Sequence, residues 1–330
     1  MFVTVLMDVE DIVDPESDDI ARDCAAILSE EGVTATLCIV GEKARLLQER
    51  GRFDVIAALR QHDIGLHTDL HSVHPTIAEA MATRDWAEGA AEAERRERPG
   101  VEAIEQVFGR QPSCWGGPGN TWGPQVCEAL AALGIPGFVY GHTCVPEGGP
   151  HRFAGRIAYP NGPSLSDVRY HDDPIAALER SALVDRLKAD RDAGIRWQQV
   201  FMGHPTRILH TEFWDAPNFA QGANPPRADW KIAERKSKAE LDSALRNFRR
   251  AVQLLRSLSG IELRTIAQMN DDLEPCAIAP LTDAEQEAVW PEIERNLIGM
   301  KHWPIMPLDF DSSNIVALTR SKLNTLMRFV

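Results

Sequence analysis

Residues 62–75 read HDIGLHTDLHSVHP, and this stretch places the chain in a fold class. Asp63–Leu66 is a short apolar run that reads as a strand, and it passes into a loop carrying His67, His71 and His74, the last held by Pro75. The same grammar stands twice upstream. Phe2–Met7 (FVTVLM) is an apolar, β-branched run that ends in acid at Asp8, Glu10, Asp11 and Asp14, and Thr34–Val40 (TATLCIV) is another. Between these runs lie an amphipathic helix from an N-cap at Ser17 to near Gly32, and helical text from Glu42 to about Arg60, broken around Gly51. Strands written as continuous apolar runs and separated by helices are buried on both faces. They belong to a parallel sheet covered by helices.

Downstream the alternation continues. Arg84–Val107 reads as a charged helix and Pro112–Trp115 as a short strand, followed by the loop GGPGNTWGP. Helices are expected over Gln125–Leu133, Asp173–Ala193 and Asp229–Ser257, and strands over Gly137–Tyr140, Phe153–Tyr159, Gln198–Met202 and Ile261–Ile266. After Asp272 the text turns helical: Leu281–Leu297, opened by a Thr282/Glu285 capping box, a Pro-rich joint (WPIMP), then about Ser312 to Met327. The expected organisation is an α/β barrel over 1–272 with a C-terminal helical extension over 273–330, whose amphipathic text fits a cap on the barrel or a homo-oligomer contact.

Composition bounds the function. The 330 residues carry 35 Lys+Arg against 49 Asp+Glu, a net charge of −14, which argues against a nucleic-acid face. Hydrophobic residues at 44% and charged residues at 25% suit a folded globular protein. None of the six cysteines falls in a CxxC, a pattern that suits free thiols in a reducing compartment. The start lacks a basic leader region, and no apolar stretch reaches the roughly 18 residues of a membrane span. The expectation is a cytoplasmic protein with a small-molecule or oligosaccharide substrate and neither nucleic acid nor membrane as partner.

Three groups of residues carry chemistry. His67 and His71, four apart after a strand, can bring two imidazoles to one metal, although such a pair also occurs as satisfied histidines. Asp8 and Glu10 point to one side of their strand by alternation, while Asp11 begins the loop. One carboxylate can ligate a metal and the other act as general base, or the cluster is an acidic turn. His204, in Phe201–Pro205 (FMGHP), ends an apolar strand and suits a general acid or a buried hydrogen-bonded histidine.

The order of these motifs resembles the polysaccharide deacetylase family (NodB-homology, carbohydrate esterase 4) over about residues 1–270, and Gly260–Met269 (GIELRTIAQM) resembles the family's last strand. The resemblance implies a distorted, TIM-like (β/α) barrel and a divalent metal, zinc or else cobalt, nickel or manganese, held by one acid and two histidines. It implies hydrolysis of N-acetylated sugars or related amides. Asp8 then matches the base, Glu10 the metal-binding acid with Asp11 as rival, His67 and His71 the metal histidines, and His204 the catalytic acid. GRQPSCWGGPGNTW resembles a motif that normally carries an arginine: Gly116 stands in its place, while Pro118 and Trp122 remain. Arg207 is the candidate to replace that arginine's contact to the base. Trp115, Gly116 and Trp122 are expected at a substrate and oxyanion loop, with Trp214, Phe213 and Phe219 also near the site. His74 is expected as a third ligand, a substrate contact or a hydrogen-bonded loop residue. The change at Gly116 keeps a second reading open, a catalytically silent carbohydrate-binding relative of the same fold.

Overall fold

The strands are β1 (Phe2–Val9), β2 (Thr36–Ile39), β3 (Asp63–Leu66), β4 (Gly137–Phe138), β5 (His151–Phe153), β6 (Arg156–Ala158), β7 (Trp197–Phe201) and β8 (Glu262–Leu263). The computed structural model describes residues 1–330 apart from 83, 119–122, 140–144, 146–147, 166, 273–280, 300–312 and 329–330. β1 pairs in parallel with β2 through its second half and with β7 through its first, while β8 joins at Phe2 and Val3. The order β3-β2-β1-β7 is one run, and β4-β6-β5 another. Parallel bridges Leu66↔Trp115 and Trp115↔Phe138 link them on one side, and Ser164↔Phe201 on the other. The result is a distorted (β/α) barrel in which only part of the wall is regular ladder.

Alternation along β1 explains both its burial and its chemistry. Val3, Val5, Met7 and Val9 point outward into a core shared with Ala21 and Leu28 of the helix Ser17–Glu30 and with Phe248 and Leu255 of the helix Lys238–Ser257. Leu6 points into the barrel, where it packs with Cys38, Cys114, Tyr159, Trp197 and Ile266. Asp8 falls in the inward row above Leu6, and Glu10 follows one residue past the strand end. Burying a side chain such as Leu6 is worth roughly 1.5–3 kcal/mol, so the rows that build the core also fix where the carboxylates stand.

Several boundaries differ from the sequence reading. β1 runs on to Val9, so Asp8 lies within the strand. Ser17 is the first helical residue, not the cap, and its hydroxyl donates to the Asp14 carbonyl at 2.7 Å. Phe153–Tyr159 is not one strand, because the chain reverses at Ala154 and Gly155 into an antiparallel hairpin of β5 and β6. The helix expected from Asp229 begins only at Lys238. A Ser237/Glu240 capping box starts it there, and the preceding segment is pinned to residues 209–211 through Lys236 N–H to Leu209 O and Thr211 N–H to Glu234 O. In Pro112–Trp115 only Trp115 bridges its neighbours.

The chain's last helices are Asp283–Gly299 and Ser313–Arg328, and the Thr282/Glu285 capping box opens the first. Trp290, Ile293, Leu323 and Met327 join the hydrophobic cluster that also holds Phe153. The WPIMP joint lies outside the described residues. Among the described residues no helix is long and apolar enough to cross a membrane.

Candidate active site

Glu10, His67 and His71 converge where β1 and β3 end, with one ligand atom each inside a sphere of contact no wider than 4.8 Å. Glu10 Oε2 stands 3.2 Å from His67 Nε2 and 3.0 Å from His71 Nε2. The outward nitrogens show which way the protons lie. His67 Nδ1 is 3.0 Å from the Gly116 carbonyl oxygen, which can only accept, so Nδ1 carries the proton. Ser72 Oγ donates to Asp215 Oδ2 at 2.5 Å, so at 2.6 Å it accepts from His71 Nδ1–H. With Nδ1 of each ring engaged outward, both Nε2 atoms face one carboxylate oxygen, at which the neutral rings would aim lone pairs. The other oxygen, Glu10 Oε1, accepts the Trp214 indole N–H at 3.0 Å, while Oε2 is buried without a donor.

Three electron-pair donors facing one point suit a divalent cation. Ligands held about 2.0–2.1 Å from a tetrahedral zinc stand about 3.3 Å from one another. The observed separations of 3.2 and 3.0 Å fit that arrangement. Burial pushes the Glu10 carboxyl up, but the charges of His204 and His71 and contacts from His67 and His71 outweigh it and hold the group well below the usual carboxylate range. For His67, burial lowers the pKa, while the Asp8 and Glu10 carboxylates raise it further.

Asp8 and His204 form the second half. Asp8 Oδ2 lies 3.6 Å from His67 Nε2 and 3.8 Å from His204 Nε2. His204 Nδ1 sits 2.6 Å from Asp167 Oδ2, which also accepts the His204 backbone N–H at 2.9 Å. Gly203 makes this pairing feasible. It has φ of 89°, and a Cβ there would stand 2.3 Å from Asp167 Cβ. Burial pushes the His204 imidazole down, but the Glu10, Asp167 and Asp8 carboxylates lift it to about 9.

Not every expected residue joins the cluster. Asp11 turns away: its Oδ1 accepts the N–H groups of Val13 and Asp14 at 2.9 Å each, and its Oδ2 accepts the Thr206 hydroxyl at 3.1 Å. Arg207 lies over the Phe213 ring, 5.6 Å from its centroid. Trp115 is packed in the barrel wall, donating to Glu97 Oε2 at 2.8 Å. Gly116 contributes its carbonyl to His67, and its N–H is engaged with the Leu66 carbonyl at 2.8 Å. His74 is paired to Glu79 at 2.7 Å and to the Phe219 carbonyl at 3.2 Å, yet its side chain lines the cavity. Trp122 lies outside the described residues. Three positioning groups went unread in the sequence: Asp167, the Ser72–Asp215 pair and buried Glu97. Asp167, Asp215 and Glu97 lie outside the motifs, and Ser72, though inside the histidine stretch, has no spacing signal of its own.

A cavity of about 680 Å³ opens over the cluster. Phe213 and Phe219 line it beside Asp8, Glu10 and His204. The volume is that of a small-ligand site.

No protein-family model matches the chain, and no curated protein matches it. Solved structures do. A Mycobacterium smegmatis protein designated a polysaccharide deacetylase is 18% identical at TM-score 0.54, covering 85% of this chain and 93% of that one. The 4-α-glucanotransferase of Thermococcus litoralis is 14% identical at TM-score 0.53, covering 83% of this chain and 40% of that one. A family 4 carbohydrate esterase from Streptomyces lividans, 12% identical, reaches TM-score 0.43 over 79% of this chain and 90% of that one. Two different chemistries on matching barrels mean that the likeness speaks to fold, not reaction. The chain has the polysaccharide deacetylase fold and is a divergent example of it.

Proposed function

We propose that the protein is a metal-dependent amide hydrolase that removes the acetyl or other acyl group from an N-acylated sugar or related amide. One observation carries the reading: two imidazole nitrogens and a carboxylate oxygen without a donor meet at one buried point, with the Asp8 carboxylate and the His204 ring beside it. Glu10, His67 and His71 would hold the ion, zinc by the nitrogen-rich donor set, with cobalt, nickel or manganese as alternatives. When bound, a divalent ion polarises the acyl oxygen and acidifies water.

The remaining steps belong to the chain. Asp8 takes the proton from the attacking water as it adds to the acyl carbon. His204, kept protonated by Asp167, gives its proton to the leaving nitrogen, which departs poorly as an anion. Ser72 and Gly116 hold the two ligand histidines in the right tautomer. Phe213 and Phe219 narrow the mouth and exclude water from the reacting group. The reading extends to a cytoplasmic enzyme of small or oligosaccharide substrates.

A second reading rests on Gly116 and Arg207. The first offers only backbone and the second stacks on Phe213, so neither supplies the expected guanidinium, and a silent carbohydrate-binding relative would show the same pattern. Metal content and acetate release from N-acetylglucosamine and chitooligosaccharides separate the two. The hydrolase reading expects one ion per chain in the wild type and acetate release that disappears in Asp8→Ala. Stoichiometric metal with no acetate from any acylated sugar or amide tested selects the silent binder. Absence of metal that no divalent ion restores overturns both the metal centre and the mechanism.

A further inference from the structure

The cavity that holds the acid–histidine cluster is also lined by Asn161, Gly162, Gln199 and Phe201. The neighbouring lumen packs Leu6, Tyr159, Trp197 and Ile266, with the Thr4 hydroxyl accepting the Trp197 indole N–H at 3.0 Å. Gln199 comes from the barrel wall itself. It stands on β7 between the inward-facing Trp197 and Phe201, and it is 1% exposed. In the ladder it pairs with Thr4, four residues before Asp8, so it lies deeper than the proposed base. Gln199 lines the cavity, yet its Oε1 has no hydrogen-bond partner among the described residues. Asn161 lines the same wall, and its Oδ1 likewise has none. The segment after β6 lies flush on β7, where a Cβ on Gly162 would stand 2.0 Å from the Gln199 carbonyl oxygen.

Unpaired buried amides cost stability and persist where something else supplies the partner. Turning an amide over exchanges oxygen and nitrogen, so each side chain offers an acceptor or a pair of donors. A hydroxyl matches either face, being donor and acceptor at once, whereas an apolar group would leave both amide oxygens unpaired. We infer that Gln199 and Asn161 form a deep polar subsite that receives a hydroxyl-bearing end of the substrate. A hydroxylated ring then enters the barrel end-on, with its acylamino group level with Asp8 and His204. An interior unit of a polymer continues at both ends and cannot enter in this way, so the subsite selects free or chain-terminal units. The placement of the acylamino group rests on the hydrolase reading, but the subsite does not.

The test compares binding of N-acetylglucosamine with that of N-acetylcyclohexylamine, an amide on a ring without hydroxyls, by calorimetry on the full zinc-loaded chain. The wild type is expected to bind the sugar at least ~10-fold more tightly, since sites built for a hydroxyl reject the analogue lacking it. Gln199→Met should weaken sugar binding by roughly 10- to 100-fold and leave the cyclohexyl amide within about twofold. Its melting temperature should equal or exceed that of the wild type, because an unpaired amide is gone. Asn161→Ala gives a smaller loss in the same direction, and it decides the matter if Gln199→Met does not fold. Equal affinity for the two ligands, no measurable sugar binding, or a preference retained in the variants overturns the subsite. Acetate release on the same samples keeps the two claims apart. Gln199-dependent binding without acetate removes the hydrolase reading and leaves the subsite, and acetate release indifferent to Gln199 does the reverse.

Discussion

His67 and His204 flank the same Asp8 carboxylate oxygen, at 3.6 and 3.8 Å, and the fold gives them different outer partners. The difference lies one atom further out. His67 Nδ1 donates to a neutral carbonyl, which leaves Nε2 to face the carboxylates. His204 Nδ1 meets the Asp167 carboxylate, which together with Glu10 and Asp8 lifts the ring to about 9. In the proposed mechanism one ring is a ligand and the other an acid, and the charge on the outer partner is what separates them.

The comparison can be broken most severely at the rings themselves. His71→Ala should cost the protein its metal, measured as loss of stoichiometric zinc by atomic emission, and more than about 100-fold in affinity. His204→Ala should keep the metal and lose turnover by roughly 10²–10⁴. Loss of metal in both variants would erase the distinction between ligand and acid.

The next largest effect is at the outer carboxylate. Asp167→Asn removes the charge that holds the His204 proton. The working form is protonated, so activity falls as pH rises through the ring's pKa, and that limb should move from near 9 towards the ordinary histidine range. At pH 8.5 the expected loss is about 10-fold or more, with little change at pH 6. A basic limb unmoved in the pH–rate profile would show that Asp167 only packs.

Ser72→Ala tests the ligand side more gently. It leaves His71 without its outer acceptor, and metal affinity should fall by about 10- to 100-fold while the His204 limb stays in place.

The smallest effect sharpens the comparison from outside. Glu97 also stands under the histidine loop, receiving the N–H groups of Trp115 and Asp69, yet burial, with the Asp69 carboxylate beside it, pushes it up to about 7. A carboxyl raised in the fold stabilises below its unfolded pKa, near 4.5, and that stability is lost as pH rises to about 7. Denaturant titrations should show the wild type losing at most about 3 kcal/mol across this window, and Glu97→Gln losing less.

Most of the barrel's first half was legible because its strands announce themselves as apolar runs that end in chemistry. Alternation alone put Asp8 and Glu10 on one side, and the histidine loop followed a strand of the expected length. Partners between loops were not legible. Asp167 lies 37 residues before His204 and Asp215 lies 143 after Ser72, and which loop residue reaches which ring is settled by tertiary packing. Asp11 shows the same limit. Among neighbouring acids the sequence does not say which turns inward, and here two turn amides and the Thr206 hydroxyl claim Asp11 first. Trp115 read as a loop aromatic, but its backbone completes the wall between β3 and β4 and draws the ring into the core.

Asp11 has a part even though it stays out of the cluster. One of its oxygens holds the loop that leaves Glu10, and the other holds the hydroxyl of Thr206, two residues beyond His204. A single carboxylate thereby acts as a cross-brace between the loop that follows Glu10 and the short helix that follows His204. Their spacing is fixed by neither segment alone, and a substitution that shifts one end of the brace is felt at the other.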